Sequence, residues 1–186
     1  MTATWVFGYG SLIWRPDFAH DDRQPGYIEG WIRRFWQASP DHRGTPQRPG
    51  RVVTLLRAAD ARCWGVAYRL PREGRDEILA RLDHREQAGY EHHQVSAHLN
   101  DGRVVDALVY VAGPQNPNFI GERTPAEIAA RVASCAGPSG PNAEYVERLA
   151  DALAALGGHD PHVDEVARLV REASRASSAD RRDLST

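Results

Sequence analysis

One acidic side chain, Glu86, extends the apolar face of a predicted helix. Ile78, Leu79 and Leu82 recur at helical spacing within residues 72–85, and Glu86 follows Leu82 by four positions on the same face. A carboxylate directed towards a protein core is either paired with a cation or used in chemistry, and burial raises its pKa towards the range that a general base needs. An ion pair with an arginine is the alternative, and the pattern alone leaves both interpretations open.

A glycine-containing turn, Gly-Tyr-Gly-Ser-Leu at residues 8–12, follows an apolar run that is typical of a buried strand. Ile13 stands where a dinucleotide-binding loop needs its third glycine, and the residues around Ser11 do not match a nucleophile elbow. Two residues without a Cβ can instead expose backbone N–H groups that bind an anion such as a carboxylate. A plain tight turn is the alternative, and the spacing by itself slightly favours it.

The histidines and cysteines do not predict a metal site. His84, His92 and His93 lie closest together but match no established ligand spacing, and adjacent strand residues point to opposite faces. Cys63 alternates with small residues along a predicted strand and is expected to be core, whereas Cys135 has no clear histidine partner. We therefore predict that the protein binds no metal.

The composition excludes several classes of protein. Of the 186 residues, 41% are hydrophobic and 26% are charged, as in an ordinary globular domain. The formal net charge of −2 lacks the basic excess of a nucleic-acid binder. Two cysteines form no disulfide framework, and the sequence shows neither a signal peptide nor an apolar run of the ~18 residues that a membrane helix needs. We expect a cytoplasmic protein without nucleic-acid or membrane partners.

The elements that position these residues are β-rich in the first two-thirds of the chain and helical in the last third. Strands are predicted at residues 5–9, 26–36, 52–56, 63–68, 92–99 and 103–111, with hairpins across 58–62 and around the Asn-Asp-Gly turn at 100–102. Loops are predicted at 39–50 and 113–122, and helices at 72–85 (stopping at Gly89), 125–134, 142–156 and 161–175. The chain divides into one α+β domain, residues 1–176, and a polar tail, residues 177–186, that is predicted to be disordered.

Seven short sequence blocks follow one another along nearly the whole chain. They are VFGYGSLIW (6–14), RRFWQ (33–37), DHRGTP with PGRVVTL (41–46 and 49–55), WGVAYR (64–69), LDHREQAGY (82–90), NPNFIG (116–121) and GPSGPNAEY (137–145). Together these blocks resemble the ChaC family of γ-glutamylcyclotransferases. Each block alone is weak evidence, but seven in the right order are specific. Gln87 and Ala88 depart from the Lys and Gly that family members often have there.

The resemblance implies a single α+β domain with a mixed, barrel-like sheet and flanking helices. It also implies a cofactor-free lyase that cleaves glutathione to 5-oxoproline and cysteinylglycine. The family's Tyr-Gly-Ser-Leu turn, which holds the γ-glutamyl group, falls on residues 9–12, and its catalytic glutamate falls on Glu86. The resemblance therefore favours a functional interpretation of both the glutamate and the turn.

The predicted site combines Glu86, as the acid–base residue, with a substrate-binding set. That set is Val6, Phe7, Gly8, Tyr9, Gly10, Ser11, Leu12, Arg43 and Tyr145. Arg43 and Arg34 are candidate partners of the substrate carboxylates, although most arginines are solvated surface charges. Tyr145 and Asn142 could reach the same pocket, with packing and helix capping as the alternative.

The sequence leaves two other functions open. The first is the same chemistry on other γ-glutamyl amino acids or amines. The second is a non-catalytic module that keeps the fold and binds a metabolite. The acid at position 86 argues against the second, because a module that only binds needs no buried base.

Overall fold

The computed structural model describes residues 4–85 and 89–183, and within these ranges the chain forms a closed barrel with helices around it. The strands are β1 (Trp5–Gly8), β2 (Asp22–Ser39), β3 (Gly50–Arg69), β4 (Glu91–Leu99) and β5 (Val104–Val111). Their order around the barrel is β1-β3-β2-β4-β5, and β5 closes on β1. The β1–β5 pair is parallel and the other pairs are antiparallel, which confirms the predicted mixed, barrel-like α+β fold.

Besides one short 3-10 helix after β1, four α-helices and a short hairpin complete the described structure. They are α1 (Arg75–Arg85), α2 (Pro125–Ala133), the hairpin β6 (Ala136–Gly137) and β7 (Gly140–Pro141), α3 (Asn142–Ala155) and α4 (Pro161–Asp183). α2 begins at the predicted cap, where the Thr124 hydroxyl accepts the Glu127 N–H and the Glu127 carboxylate accepts the Thr124 N–H. In this part of the chain no helix combines the length and the apolar character that a membrane span requires.

The last helix is longer than predicted. α4 extends to Asp183, whereas the sequence predicted its end at residue 175. Ala and Arg are frequent in this segment and favour a helix, and no glycine or proline stops it. The predicted end of the helix was therefore wrong, while the domain boundary at residue 176 and the disorder beyond it stay predictions.

The segment predicted as two strands and a hairpin is a single strand, β3. It pairs with β2 along nearly its whole length, and the register shifts opposite Gly30, where residues 58–61 form a bulge. Gly30 and Asp60 there take φ values of 78° and 60°. A bulge absorbs extra residues without reversing the chain. The predicted hairpin was wrong. Bulges and turns favour similar residues, so the sequence alone did not distinguish them.

Helix α1 packs its predicted apolar face against the barrel. Ile78 and Leu82 are buried in one cluster with Val6 of β1 and Tyr110 of β5, and Leu79 packs against the same cluster. Burying a Leu or Ile side chain contributes about 1.5–3 kcal/mol. This cluster therefore fixes α1 beside β1 and β5.

Helix α4 is attached to β2 by polar groups. The Arg33 guanidinium, 1% exposed, donates to the Asp160 carboxylate at 3.1 Å. That carboxylate also accepts the Val163 N–H at 3.2 Å and so caps the first turn of α4. The Nε2 of His162 accepts the Phe35 N–H at 3.2 Å. These bonds hold the start of α4 against the middle of β2.

Candidate functional site

A cavity of about 490 Å³ is bordered by the turn after β1, the end of β2 and its following loop, β3, α1 and α3. This volume lies within the usual range of small-molecule pockets, roughly 300–1,000 Å³. Most of the predicted substrate-binding residues line it: Phe7, Tyr9, Gly10, Ser11, Leu12, Arg43 and Tyr145. The structure therefore brings together residues that are more than one hundred positions apart in the chain.

The turn after β1 forms one short 3-10 helix, Ser11–Ile13. The Ile13 N–H donates to the Gly10 carbonyl at 3.0 Å, and the next turn closes on the Ser11 carbonyl. Gly8 is required for this path, because a Cβ at that position would lie 2.6 Å from the Cβ of Leu12. Tyr9, Gly10, Ser11 and Leu12 all line the cavity, so the turn brings backbone groups to the cavity wall.

Tyr68 of β3 holds this turn from below, and the sequence alone did not reveal its role. Its hydroxyl donates to the Leu12 carbonyl at 2.6 Å and also lies 3.3 Å from the Ile13 carbonyl. Burial raises the pKa of the Tyr68 phenol, so the group remains a donor at neutral pH. A buried tyrosine must find a partner for its hydroxyl, but the partner is remote in sequence.

The second glycine keeps space between the turn and α3. A Cβ on Gly10 would lie 3.2 Å from the Tyr145 hydroxyl and 3.3 Å from Cγ2 of Val53. Tyr145 is itself fixed, because its hydroxyl accepts the Val53 N–H at 3.4 Å and its ring meets the Trp14 ring edge-on at 5.5 Å. Any side chain at position 10 would therefore displace a wall of the cavity.

Arg43 supplies a positive charge at the cavity from the loop after β2. Its guanidinium donates to the Pro141 carbonyl at 3.0 Å, lies 3.7 Å from the Glu144 carboxylate and faces the Tyr145 ring at 5.6 Å. The residue is 8% exposed. Burial lowers the pKa of the guanidinium, the Glu144 carboxylate acts in the opposite direction, and an arginine remains charged at neutral pH. A buried cation of this kind can bind a substrate carboxylate.

The loop that carries Arg43 is ordered by its own hydrogen bonds. The Ser39 hydroxyl accepts the Arg43 N–H at 3.0 Å, and the His42 carbonyl accepts the Ser139 N–H at 2.9 Å. This loop was predicted from its proline and glycine content, and the prediction is confirmed. The second contact ties it to the β6–β7 hairpin and so fixes the place of Arg43.

Arg34 and Asn142, the two further candidates, do not line the cavity. The Arg34 guanidinium donates to the Arg33 carbonyl at 2.7 Å and lies over the Trp36 ring. The Asn142 side chain is fully buried and bonds the backbone N–H and C=O of Arg51 at 2.6 and 2.8 Å. The packing interpretation is therefore the correct one for Asn142.

Val6 and Gly8 also do not line the cavity. Val6 packs in the α1 cluster, and Gly8 lies under Leu12. Their predicted contact with substrate stays a prediction.

Glu86 lies outside the described residues. Leu82 before it and Tyr90 after it both line the cavity. The assignment of Glu86 as the acid–base residue stays a prediction.

Gln37 is a cavity residue that sequence reasoning did not single out. It is 2% exposed, its Nε2 donates to the Asn116 Oδ1 at 2.9 Å, and it lines the cavity. Arg33, Phe35 and Gln37 alternate along β2 and are all buried. That alternation was the available signal, because a polar residue at a core-facing strand position needs a partner or a role.

The described residues contain no group of three His, Cys, Asp or Glu side chains that could hold a metal ion. His92 meets Tyr110 and His93 meets Trp31, so the two rings lie on different faces, as predicted. Cys63 is buried, as predicted, and burial raises the pKa of its thiol to about 11. The absence of a metal and of a cofactor stays a prediction.

Comparison with known proteins gives consistent matches. The family model of ChaC-like proteins matches residues 4–173. Glutathione-specific gamma-glutamylcyclotransferase 1 of Mus musculus is 43% identical over 170 residues, covering 88% of this chain and 76% of the relative. Gamma-glutamylcyclotransferase 2-3 of Arabidopsis thaliana is 42% identical over 177 residues, covering 91% of this chain and 89% of the relative. The crystal structure of a yeast γ-glutamyl cyclotransferase specific to glutathione has a TM-score of 0.85 and 33% identity, covering 92% of this chain and 97% of that one.

Proposed function

We propose that this protein is a γ-glutamylcyclotransferase that converts glutathione to 5-oxoproline and cysteinylglycine. The chain belongs to the family of ChaC-like proteins. The observation that carries the proposal is the cavity in which the turn at residues 9–12 meets the buried cation Arg43. Backbone donors and one desolvated positive charge suit a small peptide that carries two carboxylates.

The proposed reaction is an intramolecular aminolysis. The α-amino nitrogen of the γ-glutamyl residue attacks its own γ-carbonyl carbon, so a C–N bond of a five-membered lactam forms. The amide bond to cysteine then breaks. The α-nitrogen loses two protons in all as it becomes the lactam N–H, and the leaving nitrogen gains two and departs as the ammonium group of cysteinylglycine. No water molecule or protein nucleophile is consumed, which agrees with the buried position of the Cys63 thiol. The protein must orient the chain, transfer a proton and stabilise an oxyanion.

The cavity supplies groups for two of these tasks. The turn at residues 9–12 holds the γ-glutamyl part, and the Leu12 N–H is a donor for the developing oxyanion, supported by the place of Leu12 at the cavity wall. Arg43 binds a carboxylate of the substrate, supported by its burial and by its place against Tyr145. The fixed positions of Tyr68 and Tyr145 keep both groups in place before substrate binds.

Glu86 performs the proton transfer in this proposal. The support is its match to the family's catalytic glutamate and the placement of its chain neighbours Leu82 and Tyr90 at the cavity. A carboxylate accepts the ammonium proton first and then returns it to the leaving amine. If the base lies elsewhere, Glu144, which lines the cavity, and Glu91 are the next candidates.

The reaction needs no metal and no organic cofactor, since it is a proton transfer between positioned groups. We place the protein in the cytoplasm because both cysteines are free thiols, as is usual in a reducing compartment.

The test is to incubate the purified protein with glutathione and to assay 5-oxoproline. We expect turnover, and a higher kcat/KM for glutathione than for γ-glutamylalanine, because the cavity extends beyond the γ-glutamyl turn to Arg43. Equal values, or a preference for γ-glutamylalanine, would move the assignment to other γ-glutamyl compounds. Calorimetric binding of glutathione without 5-oxoproline would indicate a binding module and contradict the enzyme proposal.

A further inference from the structure

The amide of Gln37 has a defined orientation at the cavity wall. The Asn116 Oδ1 accepts the Asn118 backbone N–H at 2.9 Å, which identifies this atom as an oxygen. Gln37 must therefore present its Nε2 to Asn116, and it does so at 2.9 Å. Its Oε1, an atom that can only accept, is left on the other side of the amide.

That oxygen is buried and lacks a partner. Within the described ranges, no donor bonds the Oε1 of Gln37. A buried polar atom without a partner costs about 1–3 kcal/mol, and such atoms are few in native proteins. Gln37 lines the cavity, so a small shift of its side chain as a ligand binds would bring this oxygen to a donor that the free protein does not supply.

Gln37 also lies beside the turn at residues 9–12. Its backbone pairs with Val52, and the next residue, Val53, packs on the turn, because a Cβ on Gly10 would lie only 3.3 Å from Cγ2 of Val53. Gln37, Val53 and Gly10 all line the cavity. Gln37 therefore lies, through β3, beside the residues that pack on the turn proposed for the γ-glutamyl group.

We infer that the Oε1 of Gln37 accepts a hydrogen bond from the α-amino group of the γ-glutamyl substrate, an inference that rests on the proposed function. A neutral amide oxygen can hold both the ammonium and the free amine, since each retains N–H donors. It does not compete for the proton that the base must remove. The bond restricts rotation of the amine and so directs its lone pair to the γ-carbonyl carbon. Gln37 selects substrates with a free α-amino group and transfers no proton itself.

The experiment compares two ligands on the full chain with Gln37→Met, which keeps the length of the side chain and removes the acceptor. The ligands are glutathione and glutaryl-cysteinylglycine, which is glutathione without its α-amino group and cannot cyclise. We expect kcat/KM for glutathione to fall about 10-fold to 100-fold, the usual effect of losing a hydrogen bond to a charged group. The inhibition constant of glutaryl-cysteinylglycine should stay close to its wild-type value, which also reports an intact cavity.

Gln24→Met is the matched control, because Gln24 is on the same strand, bonds Asp22 at 2.7 Å and does not line the cavity. It should leave both constants unchanged. The inference, but not the proposed function, would be overturned if Gln37→Met weakened the binding of glutaryl-cysteinylglycine as much as it lowered kcat/KM for glutathione. Unchanged turnover of glutathione by Gln37→Met would overturn it as well. If Gln37→Met does not fold, Gln37→Leu is measured against the same two outcomes. Wild-type protein that forms no 5-oxoproline would instead remove the proposed function, and this inference with it.

Discussion

Acidification should weaken the attachment of α4 to the barrel, because the fold holds His162 as a neutral ring. Its Nε2 accepts the Phe35 N–H at 3.2 Å, and the two rings lie 5.7 Å apart. Burial lowers the pKa of His162 to about 4, the Arg34 and Arg33 guanidinium groups act in the same direction, and the Asp160 carboxylate opposes them. A protonated ring could no longer accept the Phe35 N–H.

The size and sign of the effect follow from this pKa. The unfolded chain binds the proton as the pH falls through 6.5, whereas the folded chain binds it only near pH 4. The stabilisation is therefore complete above pH 6.5 and is lost progressively between pH 6.5 and pH 4. The difference between 6.5 and about 4 corresponds to about 3 kcal/mol. The ring is only partly buried, so solvent screening reduces this to about 1–2 kcal/mol.

The assay is urea denaturation at a series of pH values from 7.5 to 4.5, with wild-type protein, His162→Gln and His159→Gln. His159 is the matched control, because it precedes α4 by two residues in the chain and its side chain is 79% exposed. Between pH 7.5 and pH 4.5 the wild-type free energy of unfolding should fall by about 1–2 kcal/mol more than that of His162→Gln. His159→Gln should follow the wild type. The same pH dependence in His162→Gln and wild type would refute the reasoning.

Three further predictions concern the cavity. Glu86→Gln should lower kcat by about 10²–10⁴-fold with glutathione still bound and the melting temperature retained; substantial turnover by the folded variant would contradict this. Gly10→Val should reduce kcat/KM far more than Ser11→Ala, because a Cβ at position 10 would lie 3.2 Å from the Tyr145 hydroxyl; normal kinetics in a folded Gly10→Val protein would make the turn purely structural. Arg43→Met should raise KM for glutathione about 10-fold to 100-fold, whereas a lower melting temperature at unchanged KM would indicate a structural role through Pro141 alone.

Features set by neighbouring residues were predictable from the sequence. The Thr124 cap of α2 and the β4–β5 hairpin, in which Gly102 takes φ of 88°, depend on groups within a few positions of one another. The continuous apolar run of β1, which is buried throughout, and the apolar face of α1 were equally local. Each of these elements was found at the predicted place because its residue types satisfy a local requirement of geometry or burial.

Features that depend on remote partners were not predictable from one sequence. The Tyr68 hydroxyl meets the Leu12 carbonyl across 56 positions, and Gln37 meets Asn116 across 79. The bulge at residues 58–61, opposite Gly30, also depends on the partner strand. Only the pairing of β3 with β2 on both sides of these residues shows that β3 runs on as one strand. The resemblance to a family supplied the turn and the glutamate, but it assigned no function to Gln37.

The buried polar residues of β2 show why position relative to the cavity decides their interpretation. Arg33 and Gln37 both belong to the buried face, and among the described residues both have an atom without a partner, Nε in one and Oε1 in the other. Arg33 does not line the cavity, and its guanidinium also bonds Asp160. Holding α4 therefore explains why this polar side chain is buried. The acceptor of Gln37 has no such use within the fold, and it belongs to a residue of the cavity wall. A missing partner alone indicates only a cost in stability, whereas a missing partner at the binding cavity indicates a group that the substrate satisfies.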